Sequence, residues 1–235
     1  MDRTAWVIGG GSGIGRAAAI SIAASGGRVV VSGRRAESLN ETVSLAGERV
    51  SAIPFDATDG DALLAAHALV TSTVGPVTDL VVAAGLNAPQ RLWRDQSMAE
   101  FQAIVDTNLT AVARAIDVVL PSMRAAARGT IIVVSSYAGW LPTANSGVAY
   151  SASKTALASL CVQLNWQEGA GGIRATHLCP GDVDSDFLGM RPVVPDAAAR
   201  QRMMRPEDVA RAIQFIIETP PHLRIDELVI TPTGI

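Results

Sequence analysis

The 235-residue sequence predicts an α/β fold, a doubly wound sheet of seven mainly parallel strands with helices on both faces. Three observations predict it. Short apolar, β-rich runs alternate with longer stretches of helical period along almost the whole chain, as in a parallel sheet whose crossovers are helices. A glycine-rich turn, "VIGGGSGIGRAA", follows the first run and opens the first helical stretch. The apolar content of 49% is enough, at this length, to bury one large core, so a single domain over 1–235 is expected.

In chain order, the apolar run at 4–8 is read as the first strand and 13–24 as the first helix. A strand at 28–32 ("VVV") leads to a helix at 35–46, and a strand at 50–55 to a helix at 60–74. The run at 79–83 precedes a long helix at 98–127, and "TIIVV" at 130–134 precedes a helix at 148–169. After a strand at 174–178, residues 180–205 ("PGDVDSDFLGMRPVVPD" and beyond) have no regular pattern, and 184–205 is expected to be a substrate lid. A helix at 206–218 and a strand at 227–231 complete the series. Right-handed crossovers place the ligand crevice beyond the C-terminal strand ends, where the strand order reverses.

Composition excludes several partners. A formal net charge of −3, with acids and arginines interspersed, offers no basic face to a nucleic acid. No apolar run approaches the roughly 20 residues of a membrane span, and "MDRTAWVIGGG" shows no signal-peptide pattern, so a cytoplasmic protein is expected. Cys161 and Cys179 have no CxxC spacing and are read as small buried hydrophobes. His67, His177 and His222 are scattered among unrelated elements, so no metal site is expected.

In the glycine-rich turn, Gly9, Gly13 and Gly15 can provide a tight turn, open backbone approach to a pyrophosphate, and close helix–strand packing. A purely conformational turn is the alternative, and the spacing is wider than G-x-G-x-x-G. The second strand ends at Gly33, where an NAD-binding domain would carry an acid for the ribose 2′-hydroxyl. Arg34 and Arg35 follow instead. Either they are solvated at a helix start or they fork onto a 2′-phosphate, which favours NADP. Asp56 either accepts from an adenine amine or caps a helix.

Lys154 is the sole lysine among nineteen basic residues, and Tyr150 is one of two tyrosines. Four residues apart on a helix, they share a face. A free phenol titrates near 10, so proton exchange at neutral pH asks for about 4 kcal/mol of differential stabilisation, which a nearby ammonium can help supply. Lysine, a compact charge with rotatable donors, suits this better than a planar guanidinium.

These motifs, with "AAG" at 83–85, "DTNLTAV" at 106–112, "VVSSYAG" at 133–139, "YSASK" at 150–154 and "PGDVDS" at 180–185, resemble the short-chain dehydrogenase/reductase family in order and approximate spacing. The resemblance spans the chain and implies a Rossmann-type domain binding NADP(H). It implies Tyr150 as general acid or base, Lys154 as the residue that depresses its pKa and holds the nicotinamide ribose, and Ser136, in preference to Ser135, as the serine that orients the reacting oxygen. Asn108 would hold a water that relays protons from the lysine. Gly11, Ser12 and Ile14 complete the cofactor turn, Ala57, Ala84 and Gly85 its floor, and Pro180, Gly181, Val183 and Ser185 the nicotinamide loop. Ile8, Val82 and Ala83 depart from the family by replacing polar residues, which bears on the stiffness of that floor. The tail "ELVITPTGI" resembles a branch that ends soon after the last strand.

The function expected is an NADP(H)-dependent oxidoreductase that interconverts a carbonyl and a secondary alcohol. The alternative is a catalytically idle nucleotide-sensing protein of the same fold, against which the set Asn108, Ser136, Tyr150 and Lys154 argues. Trp140, Leu141, Asp182, Phe187, Leu188 and Met190 are expected to line the substrate site, with Met203 and Met204 near the far end of the lid. Asp182 disfavours an anionic substrate unless Arg191 offsets it. A homodimer or homotetramer is implied by the family habit of packing the fourth and fifth helices together.

Overall fold

The computed structural model describes residues 3–233. The first two residues of the leader reading and the last two of the tail lie outside them. Seven strands, β1 (Thr4–Ile8), β2 (Arg28–Gly33), β3 (Val50–Pro54), β4 (Asp79–Val82), β5 (Gly129–Val134), β6 (Ile173–Pro180) and β7 (Glu227–Ile230), form one sheet in the order β3-β2-β1-β4-β5-β6-β7. Every pairing is parallel. Order reverses between β1 and β4, where Ile8 stands opposite Val82. Every residue of β1, β4 and β5 is buried, which is why these strands read as continuous apolar runs rather than alternating ones.

One face of the sheet is covered by α3 (Gly60–Val74), α5 (Ala111–Ala126) and α7 (Val148–Glu168), whose Leu63, Ile116 and Leu157 pack on Trp6, Leu80 and Ile131. The other is covered by α1 (Gly13–Ala24), α2 (Ala36–Ala46) and α9 (Pro206–Glu218), whose Ile22, Leu39 and Ile213 pack on Val7, Val31 and Ile132. Most crossovers return to the sheet through a residue in the left-handed region: Gly26, Gly47, Gly75 and Gly172 at φ +97°, +81°, +100° and +81°, and Ala127 at φ +48° after α5.

Two expectations about elements are corrected. The helix read at 98–127 is α4 (Met98–Val105), a π turn at Asp106–Thr110, and α5. Such a turn fits an extra residue into the helix. Here it contains Asn108, which has no solvent exposure. Residues 180–205 are not structureless: a 3₁₀ turn at Asp186–Met190 and α8 (Ala197–Arg200) lie within them, and Val183 bridges to Met204 in parallel fashion. The short helix α6 (Tyr137–Trp140), beyond β5, was not anticipated.

Candidate active site

A cleft of about 1580 Å³ runs along the C-terminal edge of the sheet, beyond the β1–β4 switch. Its nucleotide end is built by the turn between β1 and α1. A Cβ on Gly15 would come 2.1 Å from the Gly9 carbonyl oxygen, and one on Gly9, itself at φ +90°, would come 2.4 Å from the Ala84 nitrogen. Both positions therefore require glycine for close approach. Ser12 caps α1 in extended conformation without a side-chain bond, and the first turn carries no acid, so the helix's leading N–H groups face the cleft uncapped. That arrangement fits a pyrophosphate. Gly11, Gly13 and Ile14 line the same end, with Ser185 standing over Gly13.

Main-chain bonds hold the floor where the family's polar side chains are missing. The Ile8 carbonyl accepts from Ala83 N at 2.8 Å and Ala84 N at 3.0 Å, while Ile8 and Val82 are buried in the sheet. Sequence reading passed over Arg16, whose guanidinium donates to the Gly11 carbonyl at 2.6 Å and to Thr42 Oγ1 at 3.1 Å, bracing the turn against α2. Arg34 and Arg35 lie exposed at the rim, and among the described residues neither pairs with a carboxylate. Asp56 commits one oxygen to Thr58, accepting from its N at 2.9 Å and its Oγ1 at 2.8 Å, and these bonds lower its pKa. The helix cap is Asp59 instead, on α3. Ala57, Gly85, Pro180, Gly181 and Val183 also line the cleft.

Helix α7 and the end of β5 carry Tyr150, Lys154 and Ser136, the residues expected to do the chemistry. Lys154, 3% exposed, donates from Nζ to the Val134 carbonyl at 2.9 Å and lies 6.0 Å from the centroid of the Tyr150 ring. The two side chains face one space. Burial brings the Lys154 pKa down to about 8. Ser135 is buried and donates to the Lys154 carbonyl, whereas Ser136 opens into the cleft and caps α6 by accepting from Ala138 N at 3.2 Å. Burial pushes the Tyr150 phenol up. The Ser136 hydroxyl opposes it, followed by the charges of Arg91 and Arg191. Phe187 packs on the Tyr150 ring at 5.9 Å, and Leu188 beside it is buried.

Asn108 does not line the cleft. Its Oδ1 accepts from Leu86 N at 2.8 Å, and its Nδ2 donates to Leu86 O at 2.9 Å and Ser153 Oγ at 3.2 Å, tying the π turn to the cleft wall and to α7. Trp140 and Leu141 are corrected as well: both are exposed outside the cleft, because α6 turns Trp140 edge-on against Tyr137 at 5.4 Å. Asp182, Phe187, Leu188 and Met190 do line it. Met203 and Met204 do not, and Met204 is buried beneath the bridge to Val183.

The residue that sequence reading missed altogether is Arg91, in the irregular stretch after β4. It is 6% exposed and lines the cleft. Its Nε donates to Ala88 O at 2.7 Å, its Nη2 donates to Met190 O, and its own carbonyl accepts from Val148 N at the start of α7. Arg191, also on the wall, is ion-paired with Asp182. Behind Lys154, the β6–β7 register brings His177, Cys179 and Glu227 within 4.8 Å of one another. Burial raises the Cys179 thiol to about 12, so it meets the imidazole as a neutral thiol. Among the described residues, no helix is long and apolar enough to cross a membrane.

Fold and cleft together define a doubly wound α/β protein built to take a dinucleotide across its switch point. Residues 3–192 match the family model described as short chain dehydrogenase, and the chain belongs to that oxidoreductase family. It is 32% identical to glycine betaine reductase of Emericella nidulans over 98% of this chain, yet spans only 19% of that protein's length. It is 26% identical to an uncharacterized oxidoreductase of Staphylococcus aureus, covering 98% of this chain and 97% of that one. Among solved structures, the closed form of serine dehydrogenase complexed with NADP+ superposes with a TM-score of 0.91 at 25% identity, covering 99% of this chain and 96% of that one. Levodione reductase superposes at 0.91 with 23% identity over 98% and 96%, which speaks to the fold alone.

Proposed function

We propose that this protein is an NADP(H)-dependent oxidoreductase interconverting a carbonyl and a secondary alcohol, with Tyr150 as general acid and base. The observation that carries the reading is that Tyr150, Ser136 and Lys154 share one cleft with an uncapped helix N-terminus and a glycine turn too tight for any side chain. The solved NADP+ complex of serine dehydrogenase, with the same fold, supports the choice of cofactor. So does the absence of an acid at Gly33, followed by two exposed arginines suited to a 2′-phosphate.

When bound, the dinucleotide would supply a hydride, one proton with two electrons, to the carbonyl carbon. The chain supplies the rest. Tyr150 gives its phenolic proton to the oxygen as the C=O double bond becomes a C–O single bond, leaving a neutral alcohol, and takes it back in the oxidative direction. Ser136 donates a hydrogen bond to that oxygen as charge develops on it. Lys154, held by the Val134 carbonyl, orients the nicotinamide ribose and stabilises the phenolate that remains. The segment 184–205 serves as a lid over the reacting centre, its two ends tied together by the ion pair of Arg200 with Asp184 at 2.6 Å and by the Val183–Met204 bridge.

The test is Tyr150→Phe, assayed by nicotinamide absorbance against a panel of ketones, oxo acids and alcohols. Turnover should fall about 10²- to 10⁴-fold, the usual worth of a positioned acid, with NADPH affinity nearly unchanged. A variant as fast as the parent removes Tyr150 from the chemistry. A parent that binds NADPH and turns over nothing in the panel points to the idle nucleotide-binding reading.

A further inference from the structure

Arg91 poses an electrostatic problem that the redox chemistry alone does not explain. A guanidinium taken out of water costs several kcal/mol unless something compensates its charge. Here the compensation is incomplete. Its hydrogen bonds go to two neutral carbonyls, of Ala88 and Met190, and among the described residues no carboxylate forms an ion pair with it. Three of the acids lining the same cleft face other partners. Asp95 accepts from Leu92 N, Asp106 from Gln102, and Asp182 pairs with Arg191. Asp186, which also lines the cleft, is exposed to solvent, so the buried charge left facing the substrate end is the guanidinium of Arg91.

The site is built rather than incidental. Its backbone carbonyl ties Arg91 to the first turn of α7, the helix that carries Tyr150, and its Cβ lies 2.9 Å from where a side chain on Gly147 would start. Its guanidinium is clamped from both sides, by the segment after β4 and by the end of the 3₁₀ turn in the lid. Its charge and that of Arg191 both reach the phenol, and the two cations repel each other across the gap. A fixed, desolvated guanidinium is well suited to recognising a carboxylate.

We propose that the substrate end of the cleft is a carboxylate site: Arg91, with Arg191 beside it, receives the carboxylate of a small oxo or hydroxy acid whose carbonyl or hydroxyl oxygen lies at Tyr150 and Ser136. This rests on the oxidoreductase reading above and names its substrate class. Reduction converts the oxo acid and NADPH, with one proton from Tyr150, to the hydroxy acid and NADP+, and the carboxylate is unchanged throughout. Asp182 moderates the site by sharing Arg191, so its charge should work against the acid.

The experiment compares pyruvate, acetoacetate and levulinate with their uncharged ethyl esters, in the parent, Arg91→Gln and Asp182→Asn. Calorimetric binding to the NADP+ complex is measured beside NADPH-dependent turnover. At least one acid should be preferred to its ester. Arg91→Gln should cost that acid about 30-fold or more in kcat/KM beyond any loss for the ester, the scale of removing one partner from a buried charge pair. Asp182→Asn should move the other way and tighten acid binding. A merely structural Arg91 would lower acid and ester together and give the two variants no opposite signs. Parallel losses, a preference for esters, or weaker acid binding in Asp182→Asn would each overturn the carboxylate site while leaving carbonyl reduction standing. Acid binding that depends on Arg91, with no turnover of any substrate, would uphold the site and defeat the redox reading.

Discussion

Lys154 is under opposing demands, because the enclosure that holds its amine on the Val134 carbonyl beside the Tyr150 ring also disfavours its charge. The result is a pKa of about 8 against an ordinary 10.5. The ammonium is present below that value and lost above it. Between about 8 and 10.5 the unfolded chain binds the extra proton, so this group makes the fold more stable as pH rises through that window. With no other lysine in the chain, a protein labelled with ¹³C-lysine has a single side-chain signal, and its titration midpoint should fall near 8. A midpoint above 10 would mean that the amine is solvated. Residues of this kind were legible in the sequence because a motif fixes them by spacing. Arg91 was not, being one of eighteen arginines in a stretch without periodicity. Trp140 and Leu141 misled because an apolar residue next to a motif does not reveal which way its short helix turns.

The strands could be read to within a residue or two, because burial on both faces makes the central ones, β4 and β5, mostly apolar along their length. The π turn could not, since helical residues run unbroken from α4 through Asp106–Thr110 into α5 and no glycine or proline marks where the extra residue is taken in. The return turns hold one anomaly. Four described crossovers use glycine at positive φ, but α5 ends on Ala127, whose φ of +48° places its Cβ against the next carbonyl. A left-handed alanine costs about 1–2 kcal/mol relative to an unstrained conformation. Ala127→Gly should therefore raise the unfolding free energy by about 1 kcal/mol, less than the full strain because glycine also loses more entropy on folding. Denaturant titration will show it, and a destabilised variant would contradict the strain.

Across the whole molecule, binding at the switch point couples to global unfolding, because the cleft takes residues from β1, β5, β6 and the helices on both faces. Ligand that binds only the native state stabilises it by about 2.7 kcal/mol at a hundred times its dissociation constant. NADPH should raise the melting temperature more than equimolar NADH, and Arg34→Ala should erase that difference. Equal stabilisation by both cofactors in the parent would reject the 2′-phosphate role of the arginines. That every strand runs the same way has a practical consequence. All the loops that touch ligand gather at one rim of the sheet, and the glycine returns gather at the opposite rim, leaving a working end and a handling end. Tags, surface tethers or fused partners attached at the turns around Gly26, Gly47 or Gly75 sit a full strand length from the chemistry, and an immobilised catalyst could be gripped there without obstructing its mouth.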